Sequence, residues 1–260
     1  MNKLGFIGMG NMGSALAGGF IAYSGMDPKS IYAYAPTFDK LLKASEAIGF
    51  RPCRSVTEVA ETSDTLVMAC KPHQIEDVLK EAGDDIYGKV ILSIAAGWTF
   101  DDYEKVLDTS KVHVQCIMPN TPVSIGKGVL LLEAKNNLTE EERADVIELL
   151  SGIGKVVELE TKQMGAGMAV SGCAPAFVDM FIEALADGGV KNGLKRQDAI
   201  EIICQMVSGS AELITETGLN PEELKDRVCS PGGTTIKGVA ALEERGFRNA
   251  VIKAVDATLK

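Results

Sequence analysis

The sequence predicts an α/β fold in which a doubly wound, mostly parallel sheet is followed by an all-α domain. Two observations predict it. Short apolar runs alternate with helix-like segments up to about residue 160, and only helical periodicity follows. The apolar runs are continuous, which is typical of strands buried on both faces, as in a parallel sheet. We therefore expect two domains, residues 1–160 and residues 161–260.

The first domain is predicted to contain seven strands and at least four helices. The strands span residues 4–8, 30–35, 65–70, 90–95, 112–118, 129–132 and 155–158. Helices are predicted over residues 14–23, 39–48 and 144–150, and from Thr99 onward. Thr139 and Glu142 form a capping box before the 144–150 helix, because each side chain is placed to accept the backbone N–H of the other.

The second domain is predicted to be helical and to need a partner. A helix with one apolar face begins at Ala174, and a longer one over residues 196–217 is apolar around nearly its whole circumference. Such a helix must be buried on every side, and a domain of roughly 100 residues offers little interior. We therefore expect a homodimer or larger homo-oligomer. Asn220 caps a short helix, residues 230–233 form a turn, and two helices finish the chain.

The composition excludes several function classes. With 26 basic and 36 acidic side chains the formal net charge is −10, and no cluster of Lys or Arg is present to bind nucleic acid or an anionic membrane. No apolar stretch reaches the ~18 residues of a membrane span, and no room is left for a signal peptide, so we expect a cytoplasmic protein. The six cysteines lack metal-ligand spacing, so we expect buried, reduced thiols and no metal site.

A glycine-rich motif follows the first strand and opens the first helix. In this G-x-G-x-x-G pattern, Gly8 permits a tight turn, Gly10 lets a pyrophosphate approach the backbone, and Gly13 lets the helix pack on the strand. Met9, Asn11 and Met12 fill the intervening positions. The amides of the first helical turn then face the phosphates, so the motif predicts a Rossmann-type dinucleotide site.

The residues after the second strand bear on which nicotinamide is used. An Asp or Glu there would bind the ribose 2′-hydroxyl of NAD and repel a 2′-phosphate. This chain has Ala35 and Pro36 instead, and Thr37 or Lys40 is near enough in sequence to reach a phosphate. We therefore expect NADPH as the cofactor, with NADH possible.

A second loop near the end of the chain has the composition of a ligand-binding turn. Ser230, Gly232, Gly233, Thr234 and Thr235 present backbone amides and hydroxyl groups at a helix start, which suits a carboxylate or an imine nitrogen. Spacing alone leaves simple helix capping as an equal alternative.

The motifs at residues 5–13, 70–73, 95–97, 118–122, 186–190 and 230–236 resemble the pyrroline-5-carboxylate reductase family, in order and at matching spacing. The last motif is the most specific to that family. The resemblance implies hydride transfer from NAD(P)H to the C=N bond of 1-pyrroline-5-carboxylate, which gives L-proline in the last step of proline biosynthesis. It also implies a Rossmann domain, a helical dimerisation domain, and an active site between the cofactor domain of one subunit and helices of both.

The resemblance also implies roles for individual residues. Thr235 would hydrogen-bond the ring nitrogen as the catalytic residue, and the Gly233 and Thr234 amides would hold the carboxylate. The cofactor would contact residues after four strands, among them Ala35, Pro36, Ala69, Lys71, Pro72, Ala95, Ala96, Gly97, Asn120, Thr121 and Pro122. Such chemistry asks mainly for orientation and electrostatics, because a protonated imine is already electrophilic.

Some residues depart from the family pattern. Residues 165–177 differ at four positions close to the family's substrate, and Val56 and Ala35 replace polar residues at the adenosine end. Three alternatives therefore stay open: a reductase of a related cyclic imine, a β-hydroxyacid-dehydrogenase-like oxidoreductase, and a non-catalytic nicotinamide-binding protein. The second is disfavoured because no lysine lies between Lys162 and Lys191, where those enzymes carry their proton donor.

Overall fold

The computed structural model describes residues 3–259, and the predicted alternation of strands and helices is present. The strands are β1 (Leu4–Ile7), β2 (Ile31–Tyr34), β3 (Arg51–Pro52), β4 (Thr65–Met68), β5 (Val90–Ser93), β6 (His113–Pro119), β7 (Gly128–Glu133) and β8 (Gly154–Leu159). The helices that accompany them are α1 (Asn11–Tyr23), α2 (Phe38–Ile48), α3 (Val56–Thr62), α4 (Ile75–Ala82), α5 (Phe100–Val106), α6 (Glu140–Ser151) and α7 (Met164–Met168).

The eight strands form one sheet in the order β3-β2-β1-β4-β5-β6-β7-β8. Every neighbouring pair is parallel except β6 and β7, which are antiparallel. The strand order reverses between β1 and β4, and ligands of open α/β sheets bind in the crevice outside the carboxyl ends at that switch point. The predicted doubly wound, mostly parallel sheet is confirmed.

Two buried apolar clusters cover the two faces of the sheet. Successive side chains of a strand point to opposite faces, and Phe6 belongs to one cluster while Ile7 belongs to the other. Helices α1, α2 and α6 contribute to the first cluster, and α3, α4 and α5 to the second. This part of the chain therefore completes its own core.

Three short elements, β3, α3 and α4, were not predicted from the sequence. Strand β3 has only two residues, one of them Pro52, so it has no run of alternating or continuous apolar residues. Helices α3 and α4 have seven and eight residues, too short for a clear helical period. The capping box at Thr139 and Glu142 is confirmed, with the Thr139 hydroxyl accepting from the Glu142 amide.

The chain divides into two compact units, the first ending at Gly172 and the second beginning at Cys173. Both of these residues belong to a short π-helical segment, Ala169–Cys173. The second unit contains α8 (Ala174–Lys191), α9 (Arg196–Thr217), α10 (Pro221–Val228), α11 (Thr234–Glu244) and α12 (Phe247–Thr258). The boundary after residue 160 stays a prediction.

The second unit has a small interior. Its buried apolar cluster consists of Ala186, Ala199 and Ile203. Elsewhere on α9, the side chains of Ile202 and Met206 are 58% and 45% exposed. The apolar circumference predicted for this helix is therefore uncovered within one chain, as expected if a second copy completes the burial.

Two expectations from the composition need correction. The helical stretch Thr161–Lys191 is long and apolar enough to cross a membrane by length and composition, and only 6% of its most apolar window is buried. Small residues such as Gly and Ala make up much of this stretch, so the sequence shows no long run of large apolar side chains there. The six cysteines are free, but only Cys53 and Cys116 are buried, and Cys204 is exposed.

Candidate active site

The glycine loop after β1 has the geometry of a dinucleotide cradle. Gly8 has φ +105°, and a Cβ built there would lie 2.5 Å from the Ala69 carbonyl oxygen. A Cβ on Gly13 would lie 2.8 Å from the Gly8 carbonyl oxygen, so α1 packs directly on the loop. A Cβ on Gly10 would meet no protein atom within 4 Å. The fold therefore requires Gly8 and Gly13, whereas the open space at Gly10 is what the predicted approach of a pyrophosphate would need.

The N-terminus of α1 is free for an anion. Gly10 is the N-cap residue, no side chain caps the helix, and its first turn carries no acidic residue. Asn11, Met12 and Gly13 form that turn, and the amides at a helix start have no acceptor within the helix. Together with the helix dipole, these amides favour a phosphate group at this point.

A cavity of about 470 Å³ opens at the carboxyl ends of β1, β2 and β4. Seven of the predicted cofactor residues line it: Gly8, Met9, Gly10, Ala35, Pro36, Ala69 and Lys71. It lies at the switch point of the sheet, where the fold class places a ligand. The volume and the lining suit the adenosine and pyrophosphate part of a nicotinamide dinucleotide.

The charges around this cavity are balanced. Lys40 and Lys71 line it, and so do Asp77 and Glu81 of the α4 segment. Burial raises the pKa of the Cys70 thiol above its ordinary value, so this lining group is neutral at physiological pH. The cavity therefore carries cations for phosphate binding without being strongly positive.

The wall of the cavity formed by the α4 segment was not predicted from the sequence. Gln74, Asp77, Val78 and Glu81 lie at i, i+3, i+4 and i+7, so they share one face of the α4 segment. The opposite face carries the buried Ile75 and Leu79 side chains. The helical period was present in the sequence, but it spans only two turns.

The remaining predicted cofactor residues lie outside this cavity, mostly after β4, β5 and β6. Pro72 begins a 3-10 turn, and Ala95, Ala96 and Gly97 follow β5, with Gly97 at φ +81°. Asn120 follows β6, and Thr121 and Pro122 begin the 3-10 turn Thr121–Ile125. Because β5 and β6 are parallel, their carboxyl ends share one edge of the sheet. Contact between these residues and a nicotinamide stays a prediction.

The Asn120 side chain is bound inside the protein. It is 7% exposed, its Nδ2 donates to the Ser171 carbonyl oxygen over 3.0 Å, and its Oδ1 accepts from the Val129 amide over 2.8 Å. Both ends of this amide therefore have protein partners.

The predicted substrate residues lie in the second unit, at the start of α11. Gly232 has φ +71°, and Gly233 is the N-cap residue of a helix without a side-chain cap. The Gly233 amide donates to the Ser230 carbonyl oxygen over 3.0 Å, so it shapes the turn. The amides of Thr234 and Thr235, which begin the helix, are the better anion donors.

Two family models match the chain in separate parts. Residues 161–260 match a family described as pyrroline-5-carboxylate reductase dimerisation. Residues 3–97 match a family described as NADP oxidoreductase, coenzyme F420-dependent. The second match covers the glycine loop and every residue that lines the cavity.

Curated relatives match over nearly their full length. The chain is 39% identical to the pyrroline-5-carboxylate reductase of Treponema pallidum over 260 residues, covering 99% of this chain and 98% of the relative. It is 40% identical to that of Escherichia coli over 254 residues, covering 97% and 94%. A crystal structure of the Plasmodium falciparum pyrroline carboxylate reductase with NADP bound is similar, with a TM-score of 0.90, 32% identity, and coverage of 99% and 95%.

Proposed function

The chain belongs to the pyrroline-5-carboxylate reductase family, and from that premise we propose that it reduces the C=N bond of 1-pyrroline-5-carboxylate to give L-proline. The reaction is the last step of proline biosynthesis. We propose NADPH as the hydride source, with NADH as a weaker substitute. The enzyme would act in the cytoplasm as a homodimer or larger homo-oligomer.

The turn at residues 230–235 carries the proposal. It holds the motif most specific to the family, and its positive-φ glycine and uncapped helix start leave amides for an anion. A carboxylate is the anionic group of the proposed substrate, and a helix N-terminus binds it without a cationic side chain. The absence of a side-chain cap also disfavours the simple capping alternative.

Three residues of this turn have a proposed role. The Thr235 hydroxyl hydrogen-bonds the ring nitrogen, and the Thr234 and Thr235 amides hold the carboxylate. Gly233, expected from the resemblance to hold the carboxylate, shapes the turn instead, because its amide already donates to Ser230. A bound nicotinamide supplies the hydride. The protein's contribution is then to fix the distance and orientation of the imine ring relative to the nicotinamide.

The cofactor preference rests on the cavity. No acidic residue follows β2 directly, since Ala35 and Pro36 occupy those positions. Lys40 is the cation nearest in sequence to this point, and it lines the cavity with Thr37. A ribose 2′-phosphate would gain from Lys40, and neither Ala35 nor Pro36 would repel it.

The other candidate functions receive less support. A β-hydroxyacid-dehydrogenase-like activity needs a proton donor for the alkoxide, and the stretch between Lys162 and Lys191 contains no lysine. A related cyclic imine is the stronger alternative, because residues 165–177 depart from the family pattern. A non-catalytic nicotinamide-binding protein would have no use for the Thr235 hydroxyl.

The proposal is tested by the loss of NADPH absorbance with three imines: pyrroline-5-carboxylate, its six-membered homologue, and pyrroline without the carboxylate. We expect turnover of the first and failure of the last. Thr235→Val should lower kcat by about a hundredfold while NADPH binding is unchanged, since a donor to the reacting group is lost. Thr235→Ser keeps the hydroxyl and should retain most activity.

Two results would contradict this assignment. Full activity of Thr235→Val would show that the hydroxyl takes no part in turnover. Preference for the six-membered imine would keep the reductase chemistry and move the natural substrate to the related class.

A further inference from the structure

Arg54 is an exposed cation that follows the third strand of the sheet. Strand β3 is parallel to β2, with Pro52 in register with Ala33, and the Cys53 amide donates to the Ala33 carbonyl oxygen over 2.7 Å. The chain beyond β3 therefore runs beside the chain beyond β2, where Ala35 lines the cavity. Arg54 thus lies at the same carboxyl edge of the sheet as the predicted cofactor site.

An aromatic ring holds the Arg54 side chain close to this cavity. The Arg54 Cζ atom lies 4.4 Å from the centre of the Phe38 ring, which is a cation–π contact. Phe38 begins α2, directly after Thr37 and two residues before Lys40. Thr37 and Lys40 both line the cavity. The guanidinium is therefore held at the helix start that forms this part of the wall.

The ring contact leaves the hydrogen-bonding groups of Arg54 available. A guanidinium has five N–H donors, and stacking on a ring uses none of them. Within residues 3–259, neither Arg54 nor Lys40 takes part in an ion pair. The acidic residue nearest to Arg54 along α3, Glu58, accepts the Arg54 backbone amide over 2.6 Å, so it fixes the backbone at this point.

The carboxylates that line the cavity belong to a different wall. Asp77 and Glu81 are on the α4 segment, and the Glu81 Oε1 atom accepts the Val56 amide over 3.2 Å. Lys40 lies on α2, and the Phe38 ring holds Arg54 beside it. The wall that follows β2 therefore offers two cations to an anionic group, and they have no carboxylate partner there.

We propose that Arg54 is a specificity-determining residue of the cofactor site, and that together with Lys40 it binds the ribose 2′-phosphate of NADPH. The inference rests on the proposed use of NADPH. Sheets of this class place the 2′ position of the ribose near the end of the second strand. An arginine binds phosphate through paired N–H donors, and the Phe38 contact reduces the side-chain freedom that is lost on binding. NADH lacks this phosphate, so Arg54 favours NADPH alone.

The test measures the binding of both oxidised cofactors by calorimetry, without imine, in Arg54→Gln. We expect the Kd of NADP⁺ to rise about tenfold, because an ion pair with the phosphate is lost, and the Kd of NAD⁺ to change less than about twofold. Arg54→Lys keeps the charge but loses the paired donors, and should raise the Kd of NADP⁺ about threefold.

Arg51 provides a matched control. It belongs to β3 and its Cζ atom lies 5.6 Å from the centre of the Tyr32 ring, so it too is an arginine over an aromatic side chain. It lies in register with Tyr32, within the strands, and is not part of the cavity lining. Arg51→Gln should leave the Kd of both dinucleotides within about twofold of wild type. Equal weakening of NADP⁺ by Arg51→Gln and Arg54→Gln would show a general effect of positive charge and overturn the inference.

Two further results would also overturn it: an unchanged Kd of NADP⁺ in Arg54→Gln, or an equal rise in the Kd of both dinucleotides. The proposed reaction fails separately. A wild-type protein that turns over none of the three imines contradicts the proposed reaction, whereas the ratio of the two dissociation constants still tests Arg54, because binding is measured without turnover.

Discussion

The two units of this chain differ in how far each completes its own interior. The sheet unit has a buried apolar cluster on each face, with Phe6 and Ile7 pointing to opposite clusters. In the helical unit the buried cluster is Ala186, Ala199 and Ile203, although α9 is apolar on most sides. Contiguous exposed apolar surface of this kind marks an interaction site, and a second copy of the chain is the expected partner. We therefore expect the first unit to fold without a partner, and the second to be stabilised by the proposed homo-oligomer.

The same division separates the residues predicted to bind the cofactor from those predicted to bind the substrate. The cradle at Gly8, Gly10 and Gly13 and its cavity lie within the self-sufficient unit. The turn at residues 230–235 lies within the unit that depends on a partner. We therefore expect cofactor binding to survive changes that abolish assembly, and imine reduction to be lost with it.

The strongest test places charges on the exposed face of α9. Ile202 and Met206 are one helical turn apart and half exposed, so Ile202→Asp/Met206→Asp should prevent association by burying two unpaired carboxylates. We expect monomers by light scattering at micromolar concentration and loss of nearly all imine turnover, with NADPH binding retained.

A matched control lies in the sheet unit. Leu42 of α2 is 38% exposed, so Leu42→Asp changes an apolar surface residue that needs no partner. It should leave the mass and the turnover unchanged. Equal mass for wild type and the α9 variant would contradict the comparison between the units.

A second test concerns packing inside the sheet unit, and uses two adjacent glycines of α1. A Cβ on Gly19 would lie 2.5 Å from the Val123 carbonyl oxygen, whereas one on Gly18 would meet nothing within 4 Å. We expect Gly19→Ala to lower the free energy of unfolding by about 2 kcal/mol through overpacking. Gly18→Ala should raise it by up to about 1 kcal/mol, because alanine favours the helix.

Urea unfolding followed by circular dichroism measures both changes. If the two variants are equally stable, then α1 does not pack against the Val123 segment as closely as the structure describes.

The smallest expected effect concerns the cofactor. Lys40→Met removes a cation that lines the cavity while keeping a side chain of similar length. We expect KM for NADPH to rise about tenfold and KM for NADH to change less than about twofold, since only NADPH carries the 2′-phosphate. Steady-state kinetics with both cofactors measures this, and an equal rise for both would place the 2′-phosphate elsewhere.

Much of the sheet unit was predictable because its signals are local. The glycine motif, the continuous apolar strands and the Thr139 capping box each depend on residues close together in the chain. The short elements β3, α3 and α4 were not predictable, because two to eight residues carry too little periodicity. Because α4 was not predicted, the cavity wall that contains Asp77 and Glu81 was not predicted either.

The sequence by itself predicted the fold class, the glycine loop of the dinucleotide cradle and the apolar surface of α9, since each follows from patterns within single elements or from their order along the chain. Only the tertiary structure decided which groups the Asn120 side chain binds. Its partners Val129 and Ser171 lie nine and 51 positions away. That pairing depends on how the sheet edge and the π-helix pack, and packing brings together residues that no sequence period connects.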